Sequence, residues 1–219
     1  DVYKRQGMPL ITAVDEPPVS FYVIEESSYQ LELIEQVRHH IAICLNVSDD
    51  HLDRYDSLDD YAAAKKNIIK NSLESDYFIF NADDPHCKKM SWDTKAKALP
   101  FSLVNEFDEG AFVRKDEMVI RFAGRELVMP LSDCGLKGMH NQENMLAALL
   151  AAMIVDAEKQ LGYQSTIKAF NGLPHRLQKV ATIDGVDYYN DSKATNVGAV
   201  VMSLASFDDG IILLMGGKG

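Results

Sequence analysis

At 219 residues, 47% hydrophobic and 25% charged, the chain can bury one sizeable core and begin a second, and its composition excludes intrinsic disorder. A net charge of -11 excludes a surface built to neutralise many phosphates, so nucleic acid is not an expected partner, although a nucleotide needs only a local positive patch. The longest apolar run, Met145 to Val155, is too short to span a bilayer, the first residues carry no signal-peptide pattern, and Cys44, Cys87 and Cys134 lack CxxC spacing, so a cytoplasmic protein with reduced, inert thiols and no membrane partner is expected.

Asp1 to Gln6 (DVYKRQ) has no periodicity and runs abruptly into Gly7-Met8-Pro9, so residues 1–6 are expected to be a non-native leader. Val19 to Ile24, Ile41 to Leu45 and Asp76 to Phe80 read as buried strands, each followed by a helix. Ser57 with Asp60 predicts a capping box for a helix running to about Asn71, and Pro85 fits the first turn of the next. The rhythm then changes. Ala111 to Arg114, Met118 to Phe122 and Glu126 to Met129 alternate, with Gly124 between the last two, which predicts a small antiparallel meander. Met139 to Leu161 reads as one long helix. A boundary falls near Gly172-Leu173-Pro174, followed by β-β-α-β over Lys179 to Ile183, Val186 to Tyr189, Thr195 to Ser206 and Ile211 to Met215. The expected class is α/β: a mostly parallel sheet with an antiparallel meander over 7–171, then the start of a second α/β unit over 172–219. Because the chain stops just after an apolar run, at Met215 to Gly219, both ends are expected to be cuts.

Six stretches carry candidate chemistry. Glu25-Glu26-Ser27-Ser28-Tyr29-Gln30-Leu31-Glu32 follows the first strand, and the carboxyl ends of parallel strands are where α/β sheets place ligands. Helix capping by Ser27 or Ser28, with the glutamates solvated, is the alternative. Asp49-Asp50-His51-Leu52-Asp53-Arg54-Tyr55 crowds acids around one imidazole after the second strand, which suits a metal or a solvated loop. Lys65, in Tyr61-Ala62-Ala63-Ala64-Lys65, reads on its own as a solvated helix lysine. Asn141 and Asn144, in Gly138-Met139-His140-Asn141-Gln142-Glu143-Asn144, share a face at a helix start, where free N–H groups bind polar ligands or where Asn141 simply caps. Gly172-Leu173-Pro174-His175-Arg176 reads as a linker with an exposed arginine. The least bland stretch is Asn190-Asp191-Ser192-Lys193-Ala194-Thr195-Asn196, which offers more polar groups than any cap needs.

Taken together and in this order, the six stretches resemble the Mur ligase family over Gly7 to Gly219, and GLPHR followed by NDSKATN is most similar to the branch that adds D-glutamate to UDP-N-acetylmuramoyl-L-alanine. The resemblance implies a central P-loop-type ATPase domain followed by a Rossmann-like domain. It also implies a ligase that phosphorylates the substrate carboxylate with ATP, then lets the amino-acid amine attack the acyl phosphate. By the same resemblance Glu25 and His51 are magnesium ligands, and Lys65 is a lysine converted to a carbamate, an anionic oxygen ligand for a hard cation. Manganese is expected to substitute, because an imidazole is a soft ligand for magnesium. His51 and Lys65 are the candidate catalytic residues. Ser27 and Gln30 line the muramoyl substrate, Asn144 and Arg176 hold adenine and phosphates, Asp191 contacts the ribose, and Lys193 and Thr195 serve the phosphate and amino-acid side. The implied partners are UDP-N-acetylmuramoyl-L-alanine, D-glutamate and ATP, and the expected state is a monomer.

The sequence departs from the family pattern in three ways. The 219 residues contain no GxxxxGK[ST], and Gly216-Gly217-Lys218-Gly219 has neither its spacing nor its hydroxyl. DVYKRQ stands where a substrate-binding asparagine is expected, and Glu26 stands where an aliphatic residue is usual, adding a charge beside Glu25. Another amino-acid ligase of the family, including one extending folate with glutamate, shares Glu25, His51 and Lys65 but not NDSKATN so closely. A non-catalytic nucleotide-binding module is the reading from a different class, and it predicts nucleotide binding without turnover.

Overall fold

Apolar alternation places six of the ten described strands in one sheet. The computed structural model describes residues 2–3, 10–15, 17–48, 54–136, 138–195, 197–207 and 210–216. Val2–Tyr3 (β1) and Val23–Ile24 (β2) form a parallel pair of their own. The main sheet follows chain order: Ile41–Cys44 (β3), Tyr77–Asn81 (β4), Lys97–Ser102 (β5), Gly110–Arg114 (β6), Glu117–Phe122 (β7) and Arg125–Pro130 (β8). The strands from β3 to β6 run parallel, whereas β6, β7 and β8 form the antiparallel meander expected from their alternation.

Period-2 alternation sends the two faces of β4 to different cores. Phe78 and Phe80 pack with Ala42, Cys44, Tyr61, Ala62, Cys87 and Met90, under the helices Leu58–Lys66 (α2) and Pro85–Ser91 (α3). Ile79 faces the other way, joining Leu99, Phe101, Met118, Ile120, Leu146, Leu149 and Leu150 beneath Met139–Val155 (α4). Helix, sheet and helix therefore form three layers. Both predicted starts are present: Ser57 Oγ accepts the Asp60 N–H at 3.1 Å, and Asp84 caps α3 with Pro85 in its first turn. Among the described residues no helix is long and apolar enough to cross a membrane.

Four expectations are corrected. Val19 to Ile24 is not a buried strand: Val19, Phe21, Tyr22 and Val23 are all exposed, and only Val23–Ile24 pairs, outside the main sheet. An apolar run alone cannot show whether the sheet offers it a neighbour. β5, which carries Pro100, was not among the expected strands. Its pairing with β6 begins only at Phe101, so the missing proline N–H removes no ladder bond on that side. β6 starts at Gly110 (φ 140), where a Cβ would lie 2.4 Å from the Pro100 carbonyl oxygen, so the junction requires glycine. The long helix stops at Val155 rather than Leu161. Asp156 Oδ1 accepts the Glu158 N–H at 3.1 Å and its carbonyl accepts the Tyr163 hydroxyl at 2.7 Å, so local bonds compete with the helix and the chain restarts as Gln160–Ala169 (α5). Beyond the boundary, Gln178–Ile183 (β9) and Val186–Asn190 (β10) form a hairpin through Asp184 (φ 50) and Gly185 (φ 78), a two-residue turn with both central residues left-handed. Val197–Leu204 (α6) follows, but Ile211 to Met215 forms no strand, having no described partner to pair with.

One buried carboxylate ties this frame together. The Asp76 side chain, wholly buried, accepts Arg38 Nε at 2.8 Å, Arg38 Nη2 at 2.7 Å and the Leu73 N–H at 2.8 Å, which locks the approach to β3 onto the start of β4. The Arg38 bonds hold its carboxyl below the usual carboxylate range despite desolvation. A depressed carboxyl stabilises the fold fully above its unfolded value of about 4, and that stabilisation fades as pH falls toward the folded value. Asp76→Ala is expected to cost about 2–3 kcal/mol, since charge-assisted bonds to Arg38 and a buried backbone N–H are lost together. Urea titration at pH 7 checks this, and a change under about 0.5 kcal/mol contradicts it. The variant should also show a flatter fall in stability below pH 4.

Candidate functional site

The residues after β2 leave the strand to start a helix, Ser28–Glu32 (α1). Ser27 is its N-cap: its Oγ accepts the Gln30 N–H at 3.3 Å, while Gln30 Oε1 accepts the Ser27 N–H at 2.9 Å. Serine with glutamine three residues on satisfies two end donors reciprocally, so the two residues expected to line a substrate first hold each other. Glu25 lies exposed just before this cap. Glu26, the departure from the family pattern, is not simply solvated. Its carboxylate lies 2.8 Å from His39 Nε2, with both side chains mostly buried, and His39 Nδ1 meets the Ile68 carbonyl at 3.0 Å. That carboxylate raises the His39 pKa against the opposing effect of burial. The extra charge beside Glu25 therefore has its own partner.

Lys65 sits in the last turn of α2, half-buried, with Nζ 5.0 Å from the Tyr61 ring centre. Cys44 and Cys87 are free and buried with sulfurs 3.3 Å apart. Their contact lowers the Cys44 thiol, with the Lys65 charge acting in the same direction, and pushes the Cys87 thiol up together with burial. Tyr61 packs on Tyr55, whose hydroxyl donates to Glu32 Oε1 at 2.6 Å, and Arg54 donates to Glu32 Oε2 at 2.6 Å while lying over Tyr29. Tyr55 first, then Arg54, hold Glu32 below its usual carboxylate range. A ring-and-ion cluster thus joins α1, which follows Glu25, to α2, which carries Lys65. His51 lies outside the described residues. Among the described residues no three acidic, histidine or cysteine side chains converge on a metal position. The Glu25 carboxylate is a hard oxygen donor of the kind that magnesium takes.

The carboxyl end of β4 gathers polar groups that sequence reasoning passed over. Asn81, 3% exposed, donates through Nδ2 to the Leu45 carbonyl and to Glu143 Oε1, each at 3.0 Å, and accepts the Asp83 N–H at 2.9 Å. Asp84 binds the Val47 N–H at 2.9 Å besides capping α3, and Asp83 accepts Ser102 Oγ at 2.6 Å and the Leu103 N–H at 2.7 Å. The ends of β3, β4 and β5 are laced together at one edge, where such sheets bind ligands. Only Pro85 was read here; the available signal was Asn81-Ala82-Asp83-Asp84 closing a buried strand. α4 opens beside this edge. Its N-cap is Gly138 (φ 97) rather than Asn141, and it makes no side-chain capping bond. Glu143 is half-buried, and desolvation raises its pKa against the Asn81 bond, with Asp83 and Asp84 adding to the rise. Asn144 follows, exposed.

The last two polar stretches meet in space. Lys193 N–H donates to the His175 carbonyl, Asn190 Nδ2 contacts His175 Nδ1, both at 3.0 Å, and Leu177 N–H donates to Asp191 Oδ1 at 2.8 Å. His175 (φ 65) and Leu177 (φ 44) are left-handed, a conformation that costs a non-glycine residue about 1 kcal/mol or more and persists only when neighbours impose it. Arg176, exposed, stands between them. Asp191 Oδ2 accepts Ser203 Oγ of α6 at 2.5 Å. Burial lowers the His140 pKa while the Asp191 charge opposes it, and Ser206 Oγ would lie 2.9 Å from a Cβ on Gly138. Ser206, after α6, therefore lies beside Gly138 at the start of α4. Lys193 and Thr195 continue its exposed segment.

The chain is similar to known proteins over most of its length. Residues 5–152 match the Mur ligase middle domain. The UDP-N-acetylmuramoylalanine--D-glutamate ligase of Citrifermentans bemidjiense is 41% identical over 213 residues, covering 97% of this chain and 47% of that protein. The protein of the same name from Koribacter versatilis is 44% identical over 198 residues, covering 90% of this chain and 43% of that protein. The chain spans about half the length of the curated relatives it matches. Among solved structures, a UDP-N-acetylmuramoyl-L-alanyl-D-glutamate--2,6-diaminopimelate ligase superposes with a TM-score of 0.62 at 24% identity, covering 85% of this chain and 39% of that one. A murein peptide ligase from Psychrobacter arcticus gives 0.61 at 17% identity, covering 84% and 39%. At those identities the likeness concerns the fold.

Proposed function

The chain belongs to the Mur ligase family, and from that premise we propose that it is the middle part, with the start of the following domain, of an ATP-dependent ligase joining D-glutamate to UDP-N-acetylmuramoyl-L-alanine in the cytoplasm. In this reading residues 7–171 form the central domain and 172–219 the beginning of the next. The observation that carries it is the meeting of Gly172–Arg176 with Asn190–Thr195 in one bonded unit. An ATPase site needs groups from two sides of a nucleotide, and in this reading Asn144 of α4 serves one side and Arg176, Asp191 and Lys193 the other. Magnesium, when bound, neutralises charge as the phosphoryl group moves to the substrate carboxylate. Glu25, His51 and a carbamate on Lys65 would hold it. Ser27 and Gln30 orient the muramoyl substrate from the start of α1, and Thr195 faces the amino-acid side. Manganese is expected to replace magnesium, and the enzyme to act as a monomer.

The test is ADP release by the full-length protein supplied with UDP-N-acetylmuramoyl-L-alanine and single amino acids. Release should depend on D-glutamate and fall at least about a hundredfold with L-glutamate, L-lysine or diaminopimelate, because a site built for one polar pattern strands its own groups with another. Preference for a different amino acid would assign the chain to another branch of the family. ATP binding without amino-acid-dependent turnover would favour the non-catalytic reading.

A further inference from the structure

We propose that Glu143 is a positioning residue that, through Asn81, locks the nucleotide-facing turn of α4 to the carboxyl ends of β3 and β4. The inference rests on the reading of Asn144 as a nucleotide contact. Asn81 is 3% exposed and uses its whole side chain: one amide hydrogen goes to Leu45 of the segment after β3, the other to Glu143, and the oxygen takes the Asp83 N–H. A buried amide cannot replace a lost acceptor with water at little cost, so Glu143 is what completes it. Glu143 directly precedes Asn144 on α4, so the bond that fixes its side chain holds the opening turn that carries Asn144. Gly138 gives this helix start no side-chain cap, so nothing in the cap itself fixes that rotation. A carboxyl is a costly choice for this task, since burial and the nearby Asp83 and Asp84 all disfavour its charge. Its use here therefore lies in the bond it accepts rather than in the charge it carries.

Three variants of the full-length protein test this: Glu143→Ala, Glu143→Gln and Asn81→Ala, with the Glu143→Ala/Asn81→Ala pair closing a double-mutant cycle. Glutamine keeps an acceptor oxygen at the same reach but no charge. The expected result is a 5- to 10-fold rise in KM for ATP and in the Kd of a fluorescent ATP analogue for either alanine variant, with kcat within about twofold. The double variant should be no worse than the worse single, and Glu143→Gln should stay near wild type. Four results would overturn the proposal: unchanged nucleotide affinity in Glu143→Ala, a loss confined to thermal stability, additive losses in the double variant, or a glutamine variant as impaired as alanine. The last would mean that the charge itself acts. Because the nucleotide Kd is read without turnover, failure of the ligase reading and failure of this one are distinguishable.

Discussion

Lys65→Arg in the full-length protein is expected to lower ligation by roughly two to three orders of magnitude. Loss of one metal ligand or one transition-state contact costs about 2–4 kcal/mol, and each 1.36 kcal/mol is tenfold in rate. Arginine preserves the positive charge and the contact with the Tyr61 ring, which Lys65 Nζ makes at 5.0 Å. If Lys65 serves as a cation, little should change. In the proposed role, however, guanidinium forms no carbamate and would leave a permanent cation in place of an anionic ligand. Carbamylation also gives up the cation–ring attraction, about 0.5–2 kcal/mol, so the ring alone favours the free amine and the metal must draw the carbamate off it. Stripping dissolved carbon dioxide should therefore weaken the wild-type enzyme, and bicarbonate should restore it. Near-normal turnover in Lys65→Arg would make Lys65 an ordinary helix residue.

The 219-residue chain by itself is expected to turn over no ATP. It contains no GxxxxGK[ST], the loop whose backbone N–H groups and lysine cradle the β and γ phosphates. Phosphoryl transfer depends almost wholly on positioning and charge stabilisation, so removing that cradle removes most of the catalysis. The proposed nucleotide contacts, Asn144, Arg176 and Asp191, remain, so weak nucleotide binding is compatible with zero turnover. A coupled ADP assay on the purified chain checks this. Turnover within about a hundredfold of the full-length enzyme would mean that a phosphate cradle exists elsewhere in these residues.

Local chemistry made some features readable and tertiary context hid others. Ser57 with Asp60, and Pro85 after Asp84, announce helix starts because a cap is decided within four residues. The meander was readable because its alternation has one period throughout. β5 was among the latter, and its Pro100 is harmless only because β6 begins pairing one residue later. The end of α4 was hidden because Asp156 stops a helix only when its bonds to Glu158 and Tyr163 form. At the site, Arg176 and Asp191 lie fifteen residues apart in sequence, yet Leu177 N–H on Asp191 Oδ1 joins their segments. The roles of Asn81 and Glu143 were invisible, since each depends on a partner 62 positions away. Glu26 is the plainest case: the sequence shows a surplus charge, and only the fold brings His39 to it.

Following one oxygen tests the central claim most directly. The full-length protein would receive ATP, D-glutamate and UDP-N-acetylmuramoyl-L-alanine carrying oxygen-18 in its alanine carboxylate. If that carboxylate attacks the γ-phosphorus and the D-glutamate amine then expels phosphate, one labelled oxygen must leave with the phosphate for each amide formed. The account predicts singly labelled phosphate, one per ligated D-glutamate, and no phosphate release when D-glutamate is omitted. Unlabelled phosphate, or amide formed without label transfer, would contradict it.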